Sequence, residues 1–318
     1  MLKKSLVALA ALALSAGSAA AQGFPTKPVT IIVSTAAGSG MSATARLIAD
    51  ELEKTWKQSV IVDHRGGASG YIAAEVVGRA APDGYTLVFG SDSFTAIRLF
   101  LKGNTFNPAK DLTPISLATW SPFLILTNPK LGPKTVGEFI TLAKANPGKF
   151  NFGVIGRSQQ TLEILRFSKL AGIKMEEITY QATAAALPQL MNNDLQFFLT
   201  SIASAGGQIK AGTLVPLATM GENRMKELPD LPTLKESGIN QTAGFWFGFF
   251  GPPGMQKDLA EKISADVRDA LQVPGLKARL EAQAYIVRGN TPAEYTRMIE
   301  AEMNERQETA RANNIEPQ

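Results

Sequence analysis

Between Val29 and Thr44 the chain reads VTIIVSTAAGSGMSAT: a β-branched apolar run, a small glycine-bearing turn, and the start of a helical pattern. A buried strand that runs straight into a helix belongs in an α/β sheet, because a parallel neighbour strand needs such a crossover. The next segments keep that rhythm. MSATARLIADELEKTW puts Ala45, Ile48, Leu52 and Thr55/Trp56 on one helical face, and SVIVDH reads as a strand. GGASGYIAAEVVGRA is a glycine-rich loop and helix, and APDGYTLVFGS a turn at Pro82-Asp83-Gly84 followed by a strand over Thr86–Phe89. This βαβαβ unit predicts a mostly parallel sheet with helices on both faces.

A similar unit starts again in mid-chain. PGKFNFGVIGRSQQTLEILRFSKLAG is turn, strand, loop and helix; EEITYQ, LQFFLTS and LVPLAT read as strands, AAALPQLMNND and GGQIKAG as helices. Two such units imply two lobes, joined by the extended segments PISLATWSPFLILTNP and AGFWFGFFGPPG. The expected division is lobe 1 over 22–122, lobe 2 over 123–247, and a helical tail over 248–318 returning to lobe 1 with a strand near Ala284–Arg288. The whole is read as an α/β, two-lobed chain.

The first residues carry Lys3 and Lys4, an apolar core from Leu6 to Leu14 and the small-residue site Ala19-Ala20-Ala21, the pattern of a secretory signal peptide over 1–21 cleaved before Gln22. Its apolar run is shorter than the roughly 18–20 residues of a membrane anchor, and no later stretch is long enough to span. The expected location is the periplasm. With no cysteine, neither a disulfide framework nor a lipid-anchoring thiol is available. The formal net charge of +4 falls by two when Lys3 and Lys4 leave, too little to argue for nucleic acid. A monomer is expected.

Gly38, Gly40 and Ala43, with Asp63 downstream, nearly match a dinucleotide-binding fingerprint. Export argues against that use: cofactor enzymes exported folded carry a twin-arginine signal, and this one has Lys-Lys. Catalytic sets are missing too. His64 is the single histidine, with no G-x-S-x-G elbow, and G-x-x-x-x-G-K-[ST] is absent. One histidine and no cysteine leave few transition-metal ligands. No catalytic residue, cofactor or metal is therefore assigned.

Ligands of open α/β sheets bind beyond the carboxyl ends of the strands. Here those ends carry Ser34–Ser42, Ser91–Thr95, Gly153–Thr161 and Thr200–Ser204, small, polar or glycine-rich, with Asp92 the one acid among them. Backbone N–H groups at a helix start and Ser/Thr hydroxyls can hold a carboxylate without a cation. At about 1.5–3 kcal/mol per charge-assisted bond, three or four such bonds reach the roughly −8 kcal/mol of a micromolar complex after closure costs. Arg98 and Arg157 are candidates for added positive charge.

The chain resembles the periplasmic solute receptors of tripartite tricarboxylate transporters, the Bug or TctC-like proteins. The resemblance is carried by FPTKPVTIIV, VSTAAGSGMSATAR, DHRGGASGYIAAEVVGRAAPDGYTLVFGS, NPAKDLTPISLA, KANPGKFNFG, KAGTLVPLAT, ELPDLPTLKESG and WFGFFGPPG, in family order from about Phe24 to the C-terminus. It implies a flytrap fold and a receptor that hands a carboxylate to membrane permease subunits. Residue by residue, it implies one jaw at Ser34, Thr35, Ala36, Ser39, Gly40 and Ser42. It implies the other at Gly156, Arg157, Ser158, Gln159 and Thr161, with Ser91, Ser93, Arg98, Thr200 and Ser201 completing the cleft.

The departures are specific. Family prolines are replaced by Ser34, Ala36 and Ala37, and the first-loop acid by Ser42. Thr161 replaces a frequent histidine, Thr200 an acid and Arg98 an asparagine. Lost acids argue against an amino-acid ligand, and small neutral replacements leave room for an aromatic carboxylate such as terephthalate. The rival functions are a sensor or storage binding protein with no permease, and an exported hydrolase or nucleotide-dependent enzyme.

Overall fold

The computed structural model of the protein describes residues 23–156 and 158–317. The expected signal peptide and Arg157 lie outside the described residues. The first unit runs β1 (Val29–Val33), α1 (Gly40–Trp56), β2 (Val60–His64), α2 (Tyr71–Gly78), β3 (Thr86–Ser91), α3 (Ile97–Phe100) and β4 (Thr113–Pro122). The second runs β5 (Leu124–Thr127), α4 (Val136–Ala145), β6 (Asn151–Ile155), α5 (Gln159–Ala171), β7 (Glu176–Tyr180), α6 (Thr183–Asn192), β8 (Phe197–Thr200), α7 (Ile202–Lys210) and β9 (Val215–Thr219). The chain ends with β10 (Gly244–Gly251), α8 (Lys257–Gln272), α9 (Pro274–Glu281), β11 (Ile286–Val287) and α10 (Pro292–Ala312).

Two sheets result, six strands in the order β11-β4-β10-β3-β1-β2 and five in the order β7-β6-β8-β5-β9. Each is mixed rather than mostly parallel. Strands joined by helical crossovers, β1 with β2 and β3, and β6 with β7 and β8, are parallel. The strands that carry the chain between sheets are antiparallel to their neighbours: β10 to β3 and β4, and β5 to β8 and β9. Only Phe123 separates β4 from β5. One extended segment thus serves both sheets without a helix to reverse it.

β10 belongs to the first sheet along its whole length, its ladder with β4 starting at Gly244 opposite Pro122. The return crossing therefore precedes Gly244 and does not fall at 247/248.

The period of two along each strand builds a core on both faces of each sheet. Ile31 and Val33 pack with Met41, Ala45, Ile48 and Leu52 of α1 and Ile263 and Val267 of α8. Ile32 points the other way, onto Ala73 and Val77 of α2 and Tyr295, Ile299 and Met303 of α10. In the second sheet Phe152, Val154, Phe197 and Leu199 meet Phe139 of α4 and Ile164 and Phe167 of α5. Leu124, Leu126 and Phe198 meet Leu187 and Leu190 of α6. The C-terminal helices return to lobe 1, and α10 also meets α5 of lobe 2.

Candidate functional site

At the carboxyl end of β1 the chain must leave the strand and enter α1 within six residues. Gly38, at φ +83°, supplies the left-handed residue that the turn requires. Gly40 has a different reason: a Cβ there would stand 3.1 Å from the Tyr285 hydroxyl. Ser39 caps α1, its Oγ accepting from the Ser42 N–H at 3.1 Å and lying 2.8 Å from Thr35 Oγ1.

This turn is one wall of a cleft of about 780 Å³ between the two sheets. Lobe 1 contributes Thr35, Ser39, Gly40, Met41, Ser91 and Asp92; lobe 2 contributes Ile155, Ser158, Gln159, Gln160, Thr183, Thr200, Ser201 and Ser204. A floor of aromatic rings lies where the chain crosses. Phe245 stands 6.0 Å from Phe123, 5.7 Å from Phe247 and 6.1 Å from Tyr285, centroid to centroid, and all four rings line the cleft.

Helix starts from both lobes converge here: Gly40 of α1, Gln159 of α5 and Thr183 of α6 line the cleft, as does Ser201, the N-cap of α7. Ser158 and Ser201 occupy cap positions, yet neither makes a side-chain cap hydrogen bond. First-turn N–H groups of these helices thus have no side-chain cap, and the Ser201 Oγ lies 3.2 Å from Ser204 Oγ instead, an arrangement that favours an anion. Asp92 is the one charged side chain among the described lining residues.

Other expected site residues lie elsewhere. Ser34, Ala36 and Ser93 line an adjoining chamber of about 650 Å³ with His64 and the Gly66–Gly70 loop; Thr35 and Ser91 border both spaces. Ser42 does not line the cleft: its Oγ is 2.7 Å from His64 Nε2. The parallel register Val33↔His64 brings the imidazole to the start of α1. Thr161 turns away to a separate cavity formed with Phe100, Asn313 and Ile315, because the third residue of a helix faces well away from the first. Gly156 lines neither space; at φ +59° it turns the chain out of β6, its N–H donating to the Tyr180 carbonyl. Arg98 sits on α3, outside the cleft lining, with its Nε buried and no hydrogen-bond partner.

The sequence reading missed Tyr285, Phe123 and Thr183. The alternation along FWFGFF sorts the rings of β10 to its two faces: Phe245 and Phe247 line the cleft while Trp246 and Phe250 face α10. Asp92 has an ion-pair partner 214 residues away. Arg306, 2% exposed, lies 3.5 Å from the Asp92 carboxylate, 2.5 Å from Glu302 and 3.7 Å from Glu163 of α5. Burial pushes the Asp92 carboxyl up to about 6 and that of Glu302 to about 7, against the lowering influence of Arg306.

The model of the tripartite tricarboxylate transporter family receptor matches residues 44–315. A Cupriavidus necator protein named "UPF0065 protein in gbd 5'region" is 32% identical over 91% of this chain and 89% of its own. Among solved structures, R. palustris Rpa4515 with adipate superposes with a TM-score of 0.78 at 27% identity, covering 93% of this chain and all of that one. MatC from Rhodopseudomonas palustris with bound malate gives 0.73 at 28% identity, over 90% and 99%.

Proposed function

This chain belongs to the tripartite tricarboxylate transporter receptor family, and from that premise we propose that it captures a small carboxylate between its lobes in the periplasm. It then presents the closed complex to membrane permease subunits of a tripartite tricarboxylate transporter. The observation that carries the reading is the convergence of helix starts from both lobes on one cleft, with the Ser158 and Ser201 hydroxyls not spent on capping. A carboxylate there accepts from N–H groups and hydroxyls of both lobes at once, so it stabilises the closed state differentially. Each relative's bound dicarboxylate, adipate in Rpa4515 and malate in MatC, agrees with that chemistry.

The floor of Phe123, Phe245, Phe247 and Tyr285 supports an aromatic carboxylate, for which terephthalate is the trial ligand. A planar ring stacks on such a floor, while its carboxylates reach the polar walls. Titration of the signal-free protein with terephthalate, benzoate, adipate, malate, glutamate and citrate, followed by calorimetry and Trp fluorescence, tests this. Micromolar terephthalate or benzoate binding with weak glutamate and citrate is expected. Tight citrate or glutamate binding with no response to the aromatic acids would sink the aromatic assignment. Silence to the whole panel would sink the carboxylate reading.

A further inference from the structure

The seam behind the cleft is crowded with acids. Asp92 and α10 belong to lobe 1, and α5 to lobe 2. On α10, Arg306 donates to the Asp92 backbone carbonyl at 2.6 Å and to Thr95 Oγ1, and pairs with the carboxylates of Asp92, Glu302 and Glu163. Trp246 Nε1 donates to Glu302 at 2.9 Å and Gln241 Nε2 to Glu163 at 3.1 Å, and the Gln159 side chain lies near the Asp92 carboxylate across the seam. The Tyr295 hydroxyl is buried on the same side, and Arg166 of α5 is engaged with Glu305 of α10. One buried guanidinium therefore faces three carboxylates, one of which is also the cleft's single charged lining group among the described residues.

We infer that carboxylate capture is coupled to proton uptake by this cluster, with Asp92 as the residue that senses the ligand's charge. The inference rests on the carboxylate reading of the cleft. An anion arriving beside Asp92 adds a negative charge to a site where the charges already fail to balance. A proton on Asp92 or Glu302 removes that repulsion without breaking the Arg306 contacts. Burial already holds these two carboxyls close to neutrality, at about 6 and about 7, so the proton is available near physiological pH. Gln159 of the other lobe lines the cleft beside Asp92, so the Asp92 charge state is felt at both jaws.

The sign follows from linkage. Binding raises the proton affinity of the cluster, so affinity rises as pH falls through the window above about 6. A shift of half to one pKa unit at Asp92 makes binding roughly twofold to fivefold tighter at pH 6 than at pH 8.5. Terephthalate and benzoate serve as probes because both are fully ionised across that range. Calorimetry at one pH in phosphate and in Tris reads the protons taken up directly.

Asp92→Asn and, separately, Glu302→Gln are expected to flatten the pH profile. Asp92→Asn should bind at pH 8.5 at least as tightly as the parent does at pH 6. Circular dichroism and melting confirm that each variant is folded, and Glu302→Gln stands in if Asp92→Asn is not. His64→Gln serves as the control in the adjoining chamber: its pH profile should match the parent's. Wild-type affinity that is flat from pH 6 to 8.5 with no buffer-dependent heat overturns the inference while leaving the carboxylate reading intact. A profile abolished by His64→Gln and kept by Asp92→Asn overturns it equally. No binding by any probe overturns the carboxylate reading and the inference with it.

Discussion

Ser39 has two jobs that substitution can separate. Its hydroxyl caps α1 and also lines the cleft. Ser39→Ala should cost about 0.5–2 kcal/mol of stability, and Ser39→Gly only a few tenths, because glycine is a tolerable N-cap. Both should weaken carboxylate binding alike, since both delete the hydroxyl. Urea unfolding alongside calorimetry reads the two effects; affinity loss that tracked stability loss would remove Ser39 from the binding surface. Ser42 is the opposite case. Its hydroxyl is held by His64, so Ser42→Ala should cost about 0.5–1.5 kcal/mol in unfolding experiments and leave terephthalate affinity within about twofold. The sequence marked Ser42 as a departure from relatives, but not the partner its hydroxyl finds. That partner lies on the next strand, and only register decides that the two meet.

At the scale of elements, β10 is set by close approaches at two of its glycines. Gly248 lies against the Tyr295 hydroxyl, and a Cβ there would collide with it and crowd the Ser116 carbonyl. Gly251 faces the Met255 sulfur, at the end of a flexible side chain. Gly248→Ala should therefore cost about 1–3 kcal/mol or more, and Gly251→Ala distinctly less, in denaturant titrations. Equal costs would mean that Tyr295 can move as freely as Met255. The WFGFF pattern made the alternation of β10 legible. Its antiparallel insertion between β3 and β4 was not, because a βαβ rhythm speaks only for strands joined by helices. For the same reason the sheets were expected to be mostly parallel and are mixed.

At the scale of the whole molecule, the buried seam makes stability depend on pH. The Asp92 and Glu302 carboxyls titrate above their ordinary values in the folded chain, so the folded state binds these protons more tightly than the unfolded one. Their stabilising contribution is complete at acid pH, near the ordinary carboxylate range. It is lost as pH rises through about 6 to 7. The exposed Glu236 and Glu294 are shifted downward by hydrogen bonds, which gives them the opposite sign, but solvent screens them. Scanning calorimetry of the ligand-free protein should show a melting temperature falling from pH 5 to pH 8, and a shallower fall for Asp92→Asn and Glu302→Gln. A curve that rises over that range would contradict the charge imbalance assigned to the seam.

By itself the sequence determined the order of strands and helices, the repetition of a strand–glycine–helix unit, and a family whose members hold carboxylates. Those are local signals: periodicity, turn residues and short motifs act over a few residues. Tertiary structure decided which side chains share a space. It joined Tyr285 to Phe123 as one floor, set Arg306 beside Asp92, and turned Thr161 and Ser42 away from the cleft where spacing had placed them. Such meetings depend on strand register, on the two crossings between sheets and on helix packing across the seam. Those interactions join residues more than 200 positions apart, beyond the reach of any local pattern.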